Sequence, residues 1–111
     1  MLEALWSVEF QSSFGIHGNC VVVFETGRVF GGDSAMIYVG SYRVEGGTIY
    51  ADINVNKYAH VPGMTSVIGF DSFNLKVTGK PGQNMMILSG HVVEDPLRTM
   101  TIRAVRRAEL P

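Results

Sequence analysis

Residues 48–56 read Thr48-Ile49-Tyr50-Ala51-Asp52-Ile53-Asn54-Val55-Asn56. Ile49, Ala51, Ile53 and Val55 are apolar, and Tyr50, Asp52 and Asn54 between them carry polar groups. Successive side chains of a strand point to opposite faces, so this period of two predicts a strand with one face buried and one wet. Glu45-Gly46-Gly47 stands just before it and reads as a tight hairpin, which pairs the strand with the run 36–44. The rhythm recurs in both directions. Trp6, Val8 and Phe10 alternate with Ser7, Glu9 and Gln11, and Phe73, Leu75 and Val77 alternate with Asn74 and Lys76.

Extended along the chain, the pattern predicts eight strands, at 4–13, 19–25, 28–30, 36–44, 48–56, 70–78, 84–93 and 99–105. Gly15-Ile16-His17-Gly18, Thr26-Gly27, Gly31-Gly32-Asp33, Lys80-Pro81-Gly82-Gln83 and Asp95-Pro96 read as the other turns. Leu97, Met100, Ala104 and Val105 also fit one face of a helix. Met100, Ile102 and Ala104 nevertheless alternate with Thr99, Thr101 and Arg103, and the β-branched content favours a strand. The long irregular connection 57–69, broken by Pro62-Gly63, has room for a short helical turn and is expected to cross an open end. Sequential strands joined by short turns imply one all-β domain over residues 1–111, an eight-stranded up-and-down antiparallel β-barrel.

The chain has 111 residues, 9 basic and 10 acidic, for a net charge of −1. No field of one sign exists to draw nucleic acid or an anionic membrane, so neither is an expected partner. The N-terminus has no basic region followed by a long apolar run, and the longest apolar run, Cys20 to Phe24, is too short to span a bilayer. A cytoplasmic location is expected. Cys20, the one cysteine, cannot pair within the chain. Among Val21, Val22, Val23 and Phe24 it reads as a small buried apolar group.

No catalytic constellation emerges. Gly32-Asp33-Ser34 matches the start of a hydrolase motif, but that chemistry belongs to parallel α/β sheets, and a turn is the simpler reading. His17, His60 and His91 stand far apart, and a metal needs three or four converging ligands. Asp33, Asp52 and Asp71 are single carboxylates, not a pair facing one cavity. Arg98, Arg103, Arg106 and Arg107 make a basic segment that reads as an outward strand face or could dock an acidic group. The expectation is a protein without catalytic residues, metal or cofactor.

Eight strands is the size at which a barrel is either filled by its own side chains or holds one small ligand. The inward set includes Trp6, Phe10, Phe24, Tyr38, Tyr42, Ile53, Phe73 and Leu88, which would line a cavity for an apolar small molecule. Gly40, Ala51, Gly90 and Ala104 would either leave a void or make room for the aromatic rings, and the sequence leaves both open. Some strands are apolar on both faces. Val21, Val23, Ile37, Val39, Met85 and Ile87 face outward, which points to a homodimer that covers them.

Gly31-Gly32-Asp33 followed by Tyr38-x-Gly40 resembles the GrlR family, bacterial negative regulators of type III secretion gene expression. The likeness extends to Trp6-Ser7-Val8-Glu9-Phe10, to the glycine-led strand from Gly18 to Phe24, and to the hairpin ending near Asn56-Lys57-Tyr58. It implies a lipocalin-like, dimeric, non-enzymatic barrel that acts on a transcriptional activator through an acidic loop between the fourth and fifth strands. Here that loop is Arg43-Val44-Glu45-Gly46-Gly47, with Glu45 its one acidic residue, so the implied binding surface does not carry over. The first expectation is a regulator working by contact with a protein partner, and the alternative is a carrier or sensor of an apolar ligand. A hollow interior opening near 57–69 belongs to the second.

Overall fold

The structure is a computed structural model that describes residues 2–13, 17–62 and 71–111. The strands are β1 (Ala4–Ser12), β2 (His17–Glu25), β3 (Arg28–Gly32), β4 (Met36–Glu45), β5 (Thr48–Lys57), β6 (Ser72–Gly79), β7 (Met85–Val92) and β8 (Asp95–Ala108). Each pairs antiparallel with its sequence neighbour, and β1 pairs with β8, so the sheet closes into an up-and-down barrel. Among the described residues, closure leaves no strand edge open to pair with another chain.

The alternation decides what is buried. On β6, Phe73, Leu75 and Val77 are buried while Asn74 and Lys76 between them are exposed. On β8, Met100, Ile102 and Ala104 point inward, which settles this segment as strand rather than helix. The β2–β3 and β4–β5 hairpins each place two consecutive residues at positive φ, Thr26 and Gly27 at 47° and 79°, Gly46 and Gly47 at 56° and 76°. Such primed turns match the right-handed twist of the strands they join.

Several boundaries differ from the sequence reading. Gly31 and Gly32 belong to β3 and pair with β2 and β4 instead of ending the strand. His17 and Gly18 lie in β2, opposite Gln11 and Phe10. The β7–β8 turn is 93–94, and Asp95 and Pro96 belong to β8. The register shifts between His91 and Val92, so His91 pairs with Thr99 and Val92 with Asp95. Pro96 falls in the skipped stretch, where no ladder bond requires its missing N–H. The helical turn expected within 57–69 is absent from residues 57–62, and the rest of that span, with the start of the sixth strand at Phe70, lies outside the described residues. No helix among the described residues is long and apolar enough to cross a membrane.

Candidate ligand cavity

The up-and-down order puts the turns 26–27 and 46–47, the loop 80–84 and both termini at one end of the barrel. Residues 33–35 and 58–62 and the turn 93–94 lie at the other. The first end is closed. Trp6 is fully buried and donates its Nε1–H to the Leu2 carbonyl at 2.9 Å. Its ring lies 6.1 Å from Phe24, which lies 4.9 Å from Tyr42. The Arg106 guanidinium sits 5.0 Å from the Trp6 ring centroid. Aromatic rings at these spacings, capped by a cation, fill the end.

Beyond this plug the interior is hollow. A cavity of about 390 Å³ runs toward the second end, and every strand contributes to its wall. That volume lies in the range of small-molecule sites, about 300–1,000 Å³. The wall is apolar along the staves. Polar liners gather at the loop end: Asp33, Tyr38, Lys57, His60 and Asp71. This end is the mouth.

Of the eight residues expected to line a cavity, Phe10, Phe24, Tyr38, Ile53, Phe73 and Leu88 do so. Trp6 and Tyr42 do not, because they pack into the closed end. Ala51 and Ala104 border the void, and their small side chains help leave it. Gly40 is small for another reason. A Cβ there would lie 2.1 Å from the Asp52 carbonyl oxygen, and one on Gly31 would lie 2.0 Å from that of Val21. The backbone of the neighbouring strand occupies the space.

The mouth is organised around Asp33. Its Oδ1 accepts the N–H groups of Ala35 at 2.9 Å and Met36 at 2.7 Å, and its Oδ2 accepts the Tyr38 hydroxyl at 2.6 Å. The Tyr58 hydroxyl donates to the Asp33 carbonyl at 2.6 Å, and the Tyr58 N–H donates to the Ala35 carbonyl at 2.8 Å. Asp33 is thus the hub of a turn, as its sequence context implies, and not a free acid. The Gly31-Gly32-Asp33…Tyr38-x-Gly40 pattern becomes one structural unit: two close backbone contacts flank a turn that a tyrosine hydroxyl anchors. Burial, with the Asp33 carboxylate its hydroxyl donates to, holds the Tyr38 phenol protonated far above the usual tyrosine range. Burial, with the charge of Asp33, pushes the Cys20 thiol up to about 12. A thiol so placed is a poor nucleophile at neutral pH.

Other singled-out groups have local partners. Arg98 meets Asp95 at 2.9 Å, Arg107 Nε donates to Ser7 Oγ at 2.7 Å, and Arg106 Nε donates to the Gln83 carbonyl at 2.6 Å. No three His, Cys, Asp or Glu side chains converge on a metal position among the described residues.

The sequence reading missed Cys20, Val29 and Met36 as cavity wall, although period two placed each with its inward neighbours. It also missed the mouth groups Lys57, His60 and Asp71. His60 and Asp71 lie in the long connection between β5 and β6, where no periodicity operates.

The six outward apolar residues divide. The register aligns Leu5, Val23, Phe30 and Val39 in one row across β1–β4, with Val21 and Ile37 either side of Gly32 in the next. Val39 is 56% exposed, and Phe30, absent from the expected set, is exposed too. Met85 and Ile87 lie on β7, four strands from β3 in either direction around the closed sheet. One flat partner cannot cover both groups. Neither the protein-family models nor the curated proteins searched provide a match to this chain.

Proposed function

We propose that this protein is a carrier or sensor that takes one small, mostly apolar molecule into the barrel and performs no chemistry on it. The supporting observation is the apolar cavity of about 390 Å³ with all its charged liners at one end. Burying a ligand there removes apolar surface from water, at about 25 cal/mol per Å². The half-buried Asp33 carboxylate at the mouth is committed to its own turn, which supports a binding role over acid–base chemistry.

The test is binding of the neutral fluorophore N-phenyl-1-naphthylamine to wild type and to Ala51→Leu. Leucine at 51 fills part of the void, so the variant is expected to fold, gain stability, and bind the probe at least tenfold more weakly. Equal binding by both would place the probe elsewhere and defeat the reading.

A second reading is a GrlR-like cytoplasmic regulator that acts by protein contact, as a homodimer, on a transcriptional regulator. The exposed Phe30 and Val39, in one row with the half-buried Val23, support it, together with the glycine–aspartate–tyrosine pattern. Sedimentation at micromolar concentration tests the dimer, which Val39→Asp should dissociate. A wild-type monomer would remove it.

A further inference from the structure

Building on the carrier reading, we infer that the ligand is a single-chain amphipathic carboxylate whose head is held at the mouth by Lys57. The inward face of β5 carries Ile49, Ala51, Ile53 and Val55, and the next residue on that face is Lys57, the last of the strand. The register confirms the parity, because Lys57 stands opposite Met36, itself buried on the inner face of β4. An ammonium group therefore ends an otherwise apolar inner row, at the rim of the cavity.

The other charged liners do not compete equally. The Asp33 carboxylate already accepts three hydrogen bonds from its own turn. Asp71 is the partner of Lys57, but the contact is loose, 3.8 Å from Nζ to Oδ1, and its side chain is 79% exposed against 34% for Lys57. A solvated carboxylate at that distance gains little from the lysine. A ligand carboxylate delivered by an apolar tail would reach the ammonium closer and on the less solvated side.

The volume sets the tail. At about 30 Å³ for each water-sized unit, the cavity takes about a dozen methylene-sized groups. That suits one acyl chain.

The experiment measures displacement of N-phenyl-1-naphthylamine by dodecanoate and by 1-dodecanol, chains of equal length with a charged and a neutral head. In wild type, dodecanoate is expected to compete about tenfold better, the worth of one hydrogen-bonded charge contact. Lys57→Gln should erase that preference while leaving dodecanol within twofold, Lys57→Arg should restore it, and Asp71→Asn should strengthen dodecanoate severalfold. If both heads compete equally and Lys57→Gln changes neither, the lysine anchor is wrong while the cavity reading stands. If neither competes and Ala51→Leu leaves probe binding unchanged, the cavity reading falls and takes the anchor with it.

Discussion

The two ends of this barrel are built from the same alternating strands and have opposite characters. At the closed end the inward side chains meet one another: Trp6, Phe24 and Tyr42 pack as tilted rings, and Arg106 lies over the indole. At the mouth the inward side chains, Phe10, Phe73 and Met100 among them, face a void. Order there is kept by polar ties in the loops, with Asp33 as the hub. Alternation decides which residues point inward. Whether they then touch depends on their sizes and on the curvature of the sheet, so one pattern yields both a plug and a pocket.

The largest expected effect that tests this contrast is on Trp6. Trp6→Ala should cost about 4 kcal/mol of unfolding free energy, because it opens a cavity in a packed site. Phe10→Ala should cost about 2 kcal/mol, since one side of that ring already borders empty space and fewer contacts are lost. Urea denaturation of both variants checks the difference, and equal losses would break the contrast. Gly40→Ala is next, at about 2 kcal/mol, because the new methyl would meet backbone instead of cavity. If Gly40→Ala were neutral, the strand would have to flex away from β5, and the staves would be softer than described.

Matched cations sharpen the comparison further. Arg106→Ala, at the closed end, should cost about 2 kcal/mol, since its side chain is only 14% exposed and engages both an indole and a carbonyl. Asp71→Asn, which removes the loose mouth pair, should change stability by less than about 0.5 kcal/mol. A further signal is in alkali. Folding raises the Cys20 pKa from an ordinary 9.0 to about 12, so the neutral thiol is favoured in the folded state. The resulting stabilisation is complete below pH 9 and is lost as pH climbs toward 12, with a limiting slope of about 1.4 kcal/mol per pH unit. Cys20→Ala should flatten that loss in chemical denaturation between pH 9 and 10. Above pH 10 Tyr38 adds a decline of the same sign, because its pKa is also raised.

Much of the barrel was legible because the stave residues obey one rule. Ile49 through Val55, Phe73 through Val77 and Met100 through Ala104 all point where period two puts them. Val29 and Phe30 were within reach of the same rule once Thr26-Gly27 set the register of the β2–β3 hairpin. Lys57 needed only one more residue of strand. The mouth was less legible. Asp33 can be read locally as a turn residue, yet its ties to Tyr38 and Tyr58 cross between strands and loops that no single-strand pattern relates. The void was undecidable from composition, since a small residue such as Gly40 can mark close backbone contact while Ala51 marks empty space. Pro96 misled by marking a turn where the chain has a register shift.

The pairing of β1 with β8 has a kinetic consequence. Seven of the eight strand pairs join sequence neighbours, but this seam brings Ser7 opposite Val105. Closing a loop of about a hundred residues costs about 4 kcal/mol of chain entropy, which local hairpins escape. The seam should therefore form late and set the folding rate. Joining the termini through a short linker and opening the chain between Gly46 and Gly47, where an added side chain would meet open space, would turn the seam into a hairpin and the β4–β5 pair into the new closure. If the seam sets the pace, stopped-flow refolding of the permuted chain will be governed by β4–β5 and will lose its sensitivity to substitutions at Ser7 and Val105.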